Sequence, residues 1–217
     1  MKKLVIFDFD NVIFRGQSQQ YLVSYLIRHG KISFWVALQI YFWFFLRRIG
    51  FRVPPDNIRK IAYNVFNDWS IEFFNDFFRR FHADIVQHRY VLKACQLMKD
   101  HLSSGDDIVL VSASLKKIIE NCFPFLGEVD CIATELETIN NKYTGCIKGV
   151  VPYGDVKFSM IKEYVESKQY DWNLCIAYTD DFSDLQLLCS VGFPYAVNPD
   201  SRLRAIALDK GWEIYDF

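Results

Sequence analysis

The chain has 217 residues, of which 51% are hydrophobic and 24% are charged, a balance typical of a globular protein rather than a disordered one. Its length corresponds to one domain with an insertion. A net charge of −1 argues against a nucleic-acid-binding protein, because such proteins are usually basic. None of the six cysteines forms a C-x-x-C pair, so their spacing supports neither a zinc site nor a thioredoxin-like function.

Two features of the sequence bear on its location in the cell. Asp8 and Asp10 lie where a signal peptide would need its apolar core. No apolar run reaches the roughly 18 residues that a membrane-spanning helix needs. We therefore expect a cytoplasmic protein with reduced thiols and no conventional transmembrane helix.

Short apolar segments alternate with helical patterns along most of the chain. Strands are expected at 3–9, 107–112, 172–178 and 193–197, and helices at about 86–103, 115–122, 155–168 and 183–190. The segment 140–145, with two Asn and one Gly, predicts the turn of a β-hairpin. The alternation predicts an α/β fold, with a doubly wound, Rossmann-like parallel sheet between two layers of helices.

Residues 14–85 interrupt this alternation, because they contain no clear strand. They predict an all-helical cap inserted after the first strand, which leaves 1–13 and 86–217 as the two parts of the core.

Three helices are expected in the cap, with Ser18, Ser33 and Ser70 as their N-caps. Gly30 would end the first helix and Gly50 the second. The third pattern carries Phe at i, i+3 and i+4 spacing, which is typical of a helix with one buried face.

The cap is both basic and aromatic. Residues 11–67 hold eight Lys and Arg against one acid, and residues 34–81 hold 16 of the 37 aromatic residues. Its uncharged run, 32–46, would form a helix about 22 Å long, short of the roughly 30 Å core of a bilayer. Such a helix with basic flanks suits an anionic membrane surface or an amphiphile site, whereas packing against itself or a homodimer partner is the alternative.

Four polar fragments lie at or just past the carboxyl ends of predicted strands. They are Asp8-Phe9-Asp10-Asn11-Val12, Ser112-Ala113-Ser114, Gly154-Asp155-Val156-Lys157 and Thr179-Asp180-Asp181-Phe182-Ser183-Asp184. Doubly wound sheets place their active sites at this edge, so we expect the fragments to meet there. Together they contain what phosphoryl transfer needs: a carboxylate nucleophile, a second carboxylate as acid, oxygen ligands for Mg²⁺, and a Lys and a hydroxyl for the phosphoryl oxygens.

These residues resemble the haloacid dehalogenase-like (HAD) phosphatases, and among them the phosphoserine-phosphatase-like subfamily IB, in which a helical cap follows the first strand. The resemblance rests on four motifs in order: Asp8-x-Asp10-x-Val12, Ser112 within Val-Ser-Ala-Ser, Lys157, and Asp180-x-x-x-Asp184. The tail from Val191 to Trp212, with Asn198-Pro199-Asp200, is similar to the same subfamily.

The resemblance implies a role for each motif residue. Asp8 would attack phosphorus and form an aspartyl phosphate, and Asp10 would act first as the acid and then as the base. Mg²⁺ would bind the Asp8 carboxylate, the Asp10 backbone carbonyl and the Asp180 carboxylate. The remaining roles are metal support for Asp184 and phosphate binding for Ser112 and Lys157. Asp181 lies at the same edge, either as a substrate-site residue or as a charge at a helix N-terminus.

The sequence departs from the family pattern at three positions. Asn11 and Thr179 replace glycines that are common there, and Asn tolerates the backbone angles of Gly better than most residues. Gln17 stands where phosphoserine phosphatases carry the Glu that receives the substrate ammonium. An amide at this position disfavours phosphoserine, and Gln17 is either a substrate contact or an ordinary exposed residue.

The sequence therefore predicts a Mg²⁺-dependent phosphomonoester hydrolase whose substrate has an apolar or lipid body. The cap is similar in position and texture to that of phosphatidylglycerophosphatase C, which acts on a phospholipid headgroup, and a location at the inner face of the membrane would follow. The alternatives are a phosphatase of a small soluble phosphometabolite, a phosphotransferase, and a non-catalytic module that binds a phospholigand. A nucleic-acid partner is not expected.

Overall fold

The computed structural model describes residues 2–48, 62–122, 124 and 129–217, with the side chains of 43–48 outside that description. The described strands form one sheet in the order β4-β3-β2-β1-β5-β6-β7. The strands are β1 Leu4–Phe7, β2 Asp107–Leu115, β3 Asp130–Ile139, β4 Lys142–Lys148, β5 Ile176–Thr179, β6 Phe193–Val197 and β7 Glu213–Tyr215. All neighbouring pairs are parallel except the β3–β4 hairpin.

The described residues form eight α-helices. They are α1 Ser18–Arg28, α2 Phe34–Arg48, α3 Ile71–Asp84, α4 Leu92–Ser103, α5 Lys116–Glu120, α6 Asp155–Ser167, α7 Leu185–Ser190 and α8 Ser201–Lys210. The helices α1, α2 and α3 all lie between β1 and β2 in the sequence. The expected α/β architecture with helices inserted after the first strand is therefore confirmed.

The position of β1 in the sheet determines where a site can form. It lies between β2 on one side and β5 on the other, with Ile6 opposite both Val109 and Ala177. The chain thus leaves β1 toward one half of the sheet and later returns to its other side. Crevices at the carboxyl ends of strands form at such a switch in strand order.

The two faces of the sheet are buried separately, because successive side chains of a strand point to opposite faces. Leu4 and Ile6 belong to one apolar cluster, with residues of α6, α7 and α8. Val5 and Phe7 belong to a second cluster, which also contains residues of α1, α3 and α4. Helices of the cap therefore share a continuous core with one face of the sheet.

The N-caps of α2 and α3 agree with the sequence analysis. The Ser70 hydroxyl accepts a hydrogen bond from the Phe73 amide at 3.1 Å, and the Ser33 hydroxyl accepts one from the Val36 amide at 3.3 Å. The α3 phenylalanines Phe74, Phe77, Phe78 and Phe81 are buried, as their spacing predicts, whereas Phe73 of the same pattern is 36% exposed.

The prediction that Ser18 caps α1 is wrong. Gln17 is the N-cap residue, and Ser18 is the first residue of the helix. The Ser18 hydroxyl is buried and bonds to Ser114 Oγ at 2.6 Å. The Ser18 hydroxyl, which was expected to cap α1, thus makes a tertiary hydrogen bond to β2 instead.

Backbone hydrogen bonds join the cap to the rest of the chain at its base and on its far side. At its base, the Arg15 amide donates to the Arg89 carbonyl at 2.8 Å, and the Val91 amide donates to the Ile13 carbonyl at 2.9 Å. On its far side, the Tyr143 amide of β4 donates to the Trp69 carbonyl at 2.9 Å. The cap is therefore closed against the β3–β4 hairpin, while its boundaries at 14 and 85 stay a prediction.

The hairpin turn itself is confirmed at Asn140 and Asn141, whose φ angles are +50° and +61°. Asn adopts this left-handed region more readily than most residues. At Gly145, an added Cβ would lie 3.0 Å from the Asn64 Cα, so this glycine allows the hairpin to approach the cap closely.

Several element boundaries differ from the sequence analysis. The first strand is shorter than 3–9, and 172–174 form a 3₁₀ turn ahead of β5. Residues 86–89 also form a 3₁₀ turn before α4, whereas α8 and β7 were not predicted at all. Gly50, the expected end of α2, lies outside the described residues. No helix in the described ranges has both the length and the apolarity needed to cross a membrane.

Candidate active site

Polar side chains are buried at one place in the described chain, the carboxyl edge of the sheet. Asp8 directly follows β1 and Asp180 directly follows β5, whereas Ser112 lies within β2. The buried polar or charged residues all lie at this edge or contact it: Ser18, Ser112, Ser114, Thr134, Lys157, Thr179, Asp180 and Asp184. Burying polar groups costs free energy unless they are paired, so such a concentration marks a functional site.

Lys157 joins two carboxylates from different strands. Its Nζ lies 2.7 Å from Asp8 Oδ2 and 2.6 Å from Asp184 Oδ2. The side chain is only 5% exposed, and although burial opposes its charge, the two carboxylates raise the pKa of Lys157 above its ordinary value. Burial raises the pKa of Asp184 to about 7, with Lys157 opposing this shift and Asp8 adding to it. The ammonium is therefore held charged beside Asp8.

Both carboxylate oxygens of Asp10 are hydrogen bonded. The Ser18 backbone amide donates to Oδ1 at 2.9 Å, and the Ser114 hydroxyl donates to Oδ2 at 2.8 Å. Burial raises the pKa of Asp10 to about 6, even though both hydrogen bonds oppose the shift. A carboxyl group that keeps its proton closer to neutral pH is suited to donating it to a leaving group.

Asp180 is held by the residue that replaces a glycine of the family pattern. The Asn11 side-chain amide donates to Asp180 Oδ2 at 2.7 Å. Asn11 has a φ of +57°, which agrees with the expectation that Asn replaces Gly without loss of the turn. Burial raises the pKa of Asp180 well above its ordinary value, the charge of Asp8 adds to this, and Asn11 opposes it.

Ser112, the expected phosphate ligand on β2, is 2% exposed. Its Oγ accepts a hydrogen bond from the Ser114 amide at 3.1 Å, which orients the hydroxyl. The structure thus brings Ser112, Asp8, Asp10, Lys157 and the Asp180–Asp184 loop to one edge of the sheet.

Gln17 and Asp181, the two expected substrate residues, make local contacts. Gln17 is exposed at the start of α1, where its backbone carbonyl accepts from the Gln20 amide at 3.0 Å. Asp181 Oδ1 accepts from the Ser183 amide at 2.8 Å and so caps the 3₁₀ turn 182–184. A substrate contact for either residue stays a prediction.

Further residues, which the sequence did not predict, hold this site in place. The Asn198 side-chain amide donates to the Asn11 carbonyl at 2.7 Å, and Asp200 Oδ2 accepts from the Phe182 amide at 2.8 Å. The Asp200 amide also donates to the Asp180 carbonyl at 2.9 Å. The string Asn198-Pro199-Asp200 was visible as part of the family-like tail, but its partners lie far away in the sequence.

The oxygen groups at this edge fit Mg²⁺. The described residues contain no cluster of three His, Cys, Asp or Glu side chains arranged around a common metal position. The predicted ligand set needs only the Asp8 and Asp180 carboxylates and the Asp10 carbonyl. Burial raises the pKa of Asp180 and the Asp8 charge adds to the shift, so a cation between these oxygen groups would relieve the repulsion.

Comparison with known proteins connects this site to one family. The family model of haloacid dehalogenase-like hydrolases matches residues 5–188. The chain is 34% identical over 152 residues to the inhibition of morphological differentiation protein of Streptomyces azureus, which covers 69% of this chain and 54% of that protein. It is 32% identical over 162 residues to a probable phosphatase of Mycobacterium tuberculosis, covering 75% of this chain and 56% of that protein. The chain thus spans little more than half the length of these two relatives.

Two further similarities extend over the whole chain. A histidinol-phosphatase of Neisseria meningitidis serogroup C is 27% identical over 221 residues, which cover 100% of both chains. A solved structure of a protein with unknown function from Bordetella pertussis Tohama I has a TM-score of 0.89 at 22% identity, covering 100% of this chain and 99% of that one. With four motifs meeting at one sheet edge and a family match over most of its length, this chain belongs to the haloacid dehalogenase-like hydrolases.

Proposed function

We propose that the chain is a Mg²⁺-dependent phosphomonoester hydrolase that works through an aspartyl phosphate on Asp8. The observation that carries this proposal is the buried Lys157 ammonium, 2.7 Å from the Asp8 carboxylate. A cation fixed beside the nucleophile can hold the non-bridging oxygens of a phosphoryl group, where negative charge lies in the transition state. Ser112, on the neighbouring strand β2, supplies a hydroxyl for the same oxygens.

The two aspartates divide the reaction into two steps. In the first step, an Asp8 oxygen forms a bond to phosphorus while the bond to the leaving oxygen breaks, and Asp10 gives its proton to that oxygen. In the second, Asp10 takes a proton from water as the water oxygen attacks phosphorus, and the bond to Asp8 breaks. The products are an alcohol and inorganic phosphate.

Mg²⁺ would be held by Asp8, Asp180 and the Asp10 backbone carbonyl, with Asp184 supporting the site through Lys157 or the waters of the metal. When bound, it would supply positive charge that screens the phosphate oxygens from the Asp8 carboxylate. The hydrogen bond from Asn11 to Asp180 supports this arrangement, because partners of metal ligands orient them.

The direct test is phosphate release by the wild-type protein and the Asp8→Asn variant, with Mg²⁺ and with a chelator. We expect release that depends on Mg²⁺ and falls by more than ~10³-fold in Asp8→Asn, because the amide is a poor nucleophile. Asp209→Asn, at an exposed position of α8, is the matched control and should keep full activity. Full activity in Asp8→Asn would exclude the aspartyl phosphate.

The same assay separates the alternative activities. Phosphoryl transfer to an added alcohol at the expense of phosphate release would indicate a phosphotransferase. Tight binding of phosphate esters without turnover in Mg²⁺ would indicate a binding module. An ordered acid at Asp10 favours hydrolysis or transfer over binding alone, because a binding module needs no general acid.

For the substrate, we propose a phosphomonoester with an apolar or lipid body, recognised at an anionic membrane surface. The support is the outer face of α2, where five large apolar side chains are at least 37% exposed: Phe34, Trp35, Leu38, Tyr41 and Phe42. The exposed basic residues Arg28 and Lys31 lie at the end of α1 and just before α2. An apolar helix face with neighbouring cations suits the interface of an anionic membrane, and a homodimer contact through this face is the competing explanation.

A small soluble phosphate ester is the second candidate substrate. It is favoured by the similarity to a histidinol-phosphatase over the full length of both chains. A panel containing phosphatidylglycerophosphate, histidinol phosphate, phosphoserine, sugar phosphates and nucleotides distinguishes the two. Selective turnover of the lipid phosphate would support the membrane proposal, and selective turnover of a small ester would assign the α2 face to another role.

A further inference from the structure

Asp10 is held by two serines that the four motifs do not assign to any role. Ser114 lies on β2 and donates its hydroxyl to Asp10 Oδ2 at 2.8 Å. Ser18 lies at the start of α1 and donates its backbone amide to Asp10 Oδ1 at 2.9 Å. The two serine hydroxyls are themselves 2.6 Å apart, and both residues have 0% relative exposure. A chain of hydrogen bonds therefore runs from the cap to Asp10.

The number of hydroxyl protons gives this chain of hydrogen bonds a direction. Each hydroxyl has one proton, so Ser114 cannot donate to both Asp10 and Ser18. When Asp10 is ionised its oxygens can only accept, so the Ser114 proton points to Asp10 and the Ser18 hydroxyl donates to Ser114. Ser18 thus acts on Asp10 twice, directly through its amide and indirectly through the Ser114 hydroxyl.

The start of α1 is docked on the same segment of β2 by a further contact. The Gln19 side-chain amide donates to the Ala113 carbonyl at 3.0 Å. The contacts of Ser18 and Gln19 all depend on α1 lying against β2. If this end of the cap moved away, Asp10 would lose one of its two hydrogen bonds and the support of the other.

We propose that Ser114 and Ser18 are positioning residues that hold the Asp10 carboxyl in the orientation from which it transfers a proton, and that Ser18 makes this orientation depend on the docking of α1. The inference rests on the proposed function, because it assigns Asp10 the role of general acid. Neither serine touches the phosphoryl group in this assignment. Both act through Asp10 alone.

The first test compares kcat/KM for two phosphate esters that differ in their need for an acid. Nitrophenolate leaves without a proton, whereas an alkoxide does not. A misplaced Asp10 should therefore slow an alkyl phosphate by ~10–100-fold and 4-nitrophenyl phosphate by less than ~3-fold, a part of the ~10²–10⁴-fold that general acids contribute. We expect this split in Ser114→Ala and a smaller one in Ser18→Ala, which keeps its backbone amide.

Ser104→Ala is the control, because Ser104 is exposed just after α4 and its hydroxyl donates to the Asp100 carbonyl rather than to Asp10. It should keep wild-type rates with both esters. Equal losses with both esters in Ser114→Ala would overturn the inference, because they would indicate general damage to the site. Rescue of the split by Ser114→Thr, which restores a hydroxyl, would support it.

The second test is the double variant. If the Ser18 hydroxyl acts through Ser114, the Ser18→Ala change should have little effect in a Ser114→Ala background, and the losses should not add. Additive losses would overturn the proposed connection. The proposed function fails separately, when wild-type protein shows no Mg²⁺-dependent phosphate release or when Asp8→Asn retains it, and the inference would then fall with it.

Discussion

At the scale of single residues, Asn11 performs two structural tasks that a glycine could not combine. Its φ of +57° lets the chain turn after Asp10, and its side-chain amide holds Asp180 at 2.7 Å. The same side chain accepts the Gly16 amide at 3.1 Å through its Oδ1. The change from the common family residue therefore adds a contact to a proposed metal ligand.

Substitutions at Asn11 should separate these two tasks. Asn11→Gly keeps the backbone angle but loses the hydrogen bond to Asp180, so we expect Mg²⁺ activation to need a ~10-fold higher concentration. Asn11→Ala loses the hydrogen bond as well, and it should lower the free energy of unfolding by a further ~1 kcal/mol because of the left-handed angle. Mg²⁺ titration of activity and denaturant unfolding measure the two effects. Equal stability of the two variants would contradict the backbone argument.

At the scale of elements, the helices α2 and α3 show why apolar composition alone does not predict burial. Both are rich in aromatic residues, but α3 buries four phenylalanines, including Phe78 at 0% exposure. On α2, Ala37 and Ile40 are buried, with Ile40 packed against Val23 of α1, while Trp35 is 75% exposed. The sequence shows the spacing of apolar residues, but it does not show whether a partner is present to cover each face.

Alanine substitutions at Phe78 and Trp35 should affect different properties. The first should reduce stability, and the second should reduce membrane binding. Phe78→Ala should lower the free energy of unfolding by about 3–5 kcal/mol, because it leaves a cavity in the core. Trp35→Ala should change it by less than ~0.5 kcal/mol. Denaturant unfolding of both variants checks this contrast.

Co-sedimentation with anionic vesicles gives the other half of the comparison. Trp35→Ala should weaken vesicle binding by at least ~5-fold, since a large apolar side chain is lost from the contact, and salt should weaken binding further. Leu208→Ala, at a residue of α8 that is 68% exposed, is the control and should bind like the wild type. If the protein does not bind vesicles at low salt but sediments as a dimer, the exposed face of α2 would be a contact with a second copy of the chain.

At the scale of the whole molecule, several buried or half-buried carboxyl groups are concentrated at the carboxyl edge of the sheet. Burial raises the pKa of Asp10 to about 6 and that of Asp184 to about 7, and it raises the pKa of Asp180 well above its ordinary value. An unfolded chain would ionise these groups near pH 4. Between about pH 4 and pH 7 the folded protein therefore binds more protons than the unfolded one, and its stability falls as pH rises.

This charge predicts how pH and Mg²⁺ together affect thermal stability. The metal-free protein should melt at a higher temperature at pH 5 than at pH 7.5. The difference should be about 2–4 °C for each kcal/mol that these carboxyl groups add to the free energy of unfolding. Mg²⁺ should raise the melting temperature more at pH 7.5, because it binds ionised carboxylates. Asp180→Asn should reduce both effects. An Mg²⁺ shift of equal size at both pH values would contradict this account.

The sequence by itself determined four parallel strands, the β3–β4 turn, most of the helices and the edge where the proposed chemistry lies. Strand and helix periods are local properties of the chain, and the motif residues follow the strands that carry them. Asp8, Asp10, Lys157 and Asp180 could therefore be found from their spacing before any contact was known.

Only the tertiary structure decided which residues hold these groups and which surface stays exposed. Ser18 meets Ser114 across 96 positions, Asn11 meets Asp180 across 169, and Asn198 meets Asn11 across 187. A serine before a helix can cap that helix or bond elsewhere, and its local pattern is the same in both cases. Packing of α1 against β2 decides between them, because it brings a competing partner to the hydroxyl.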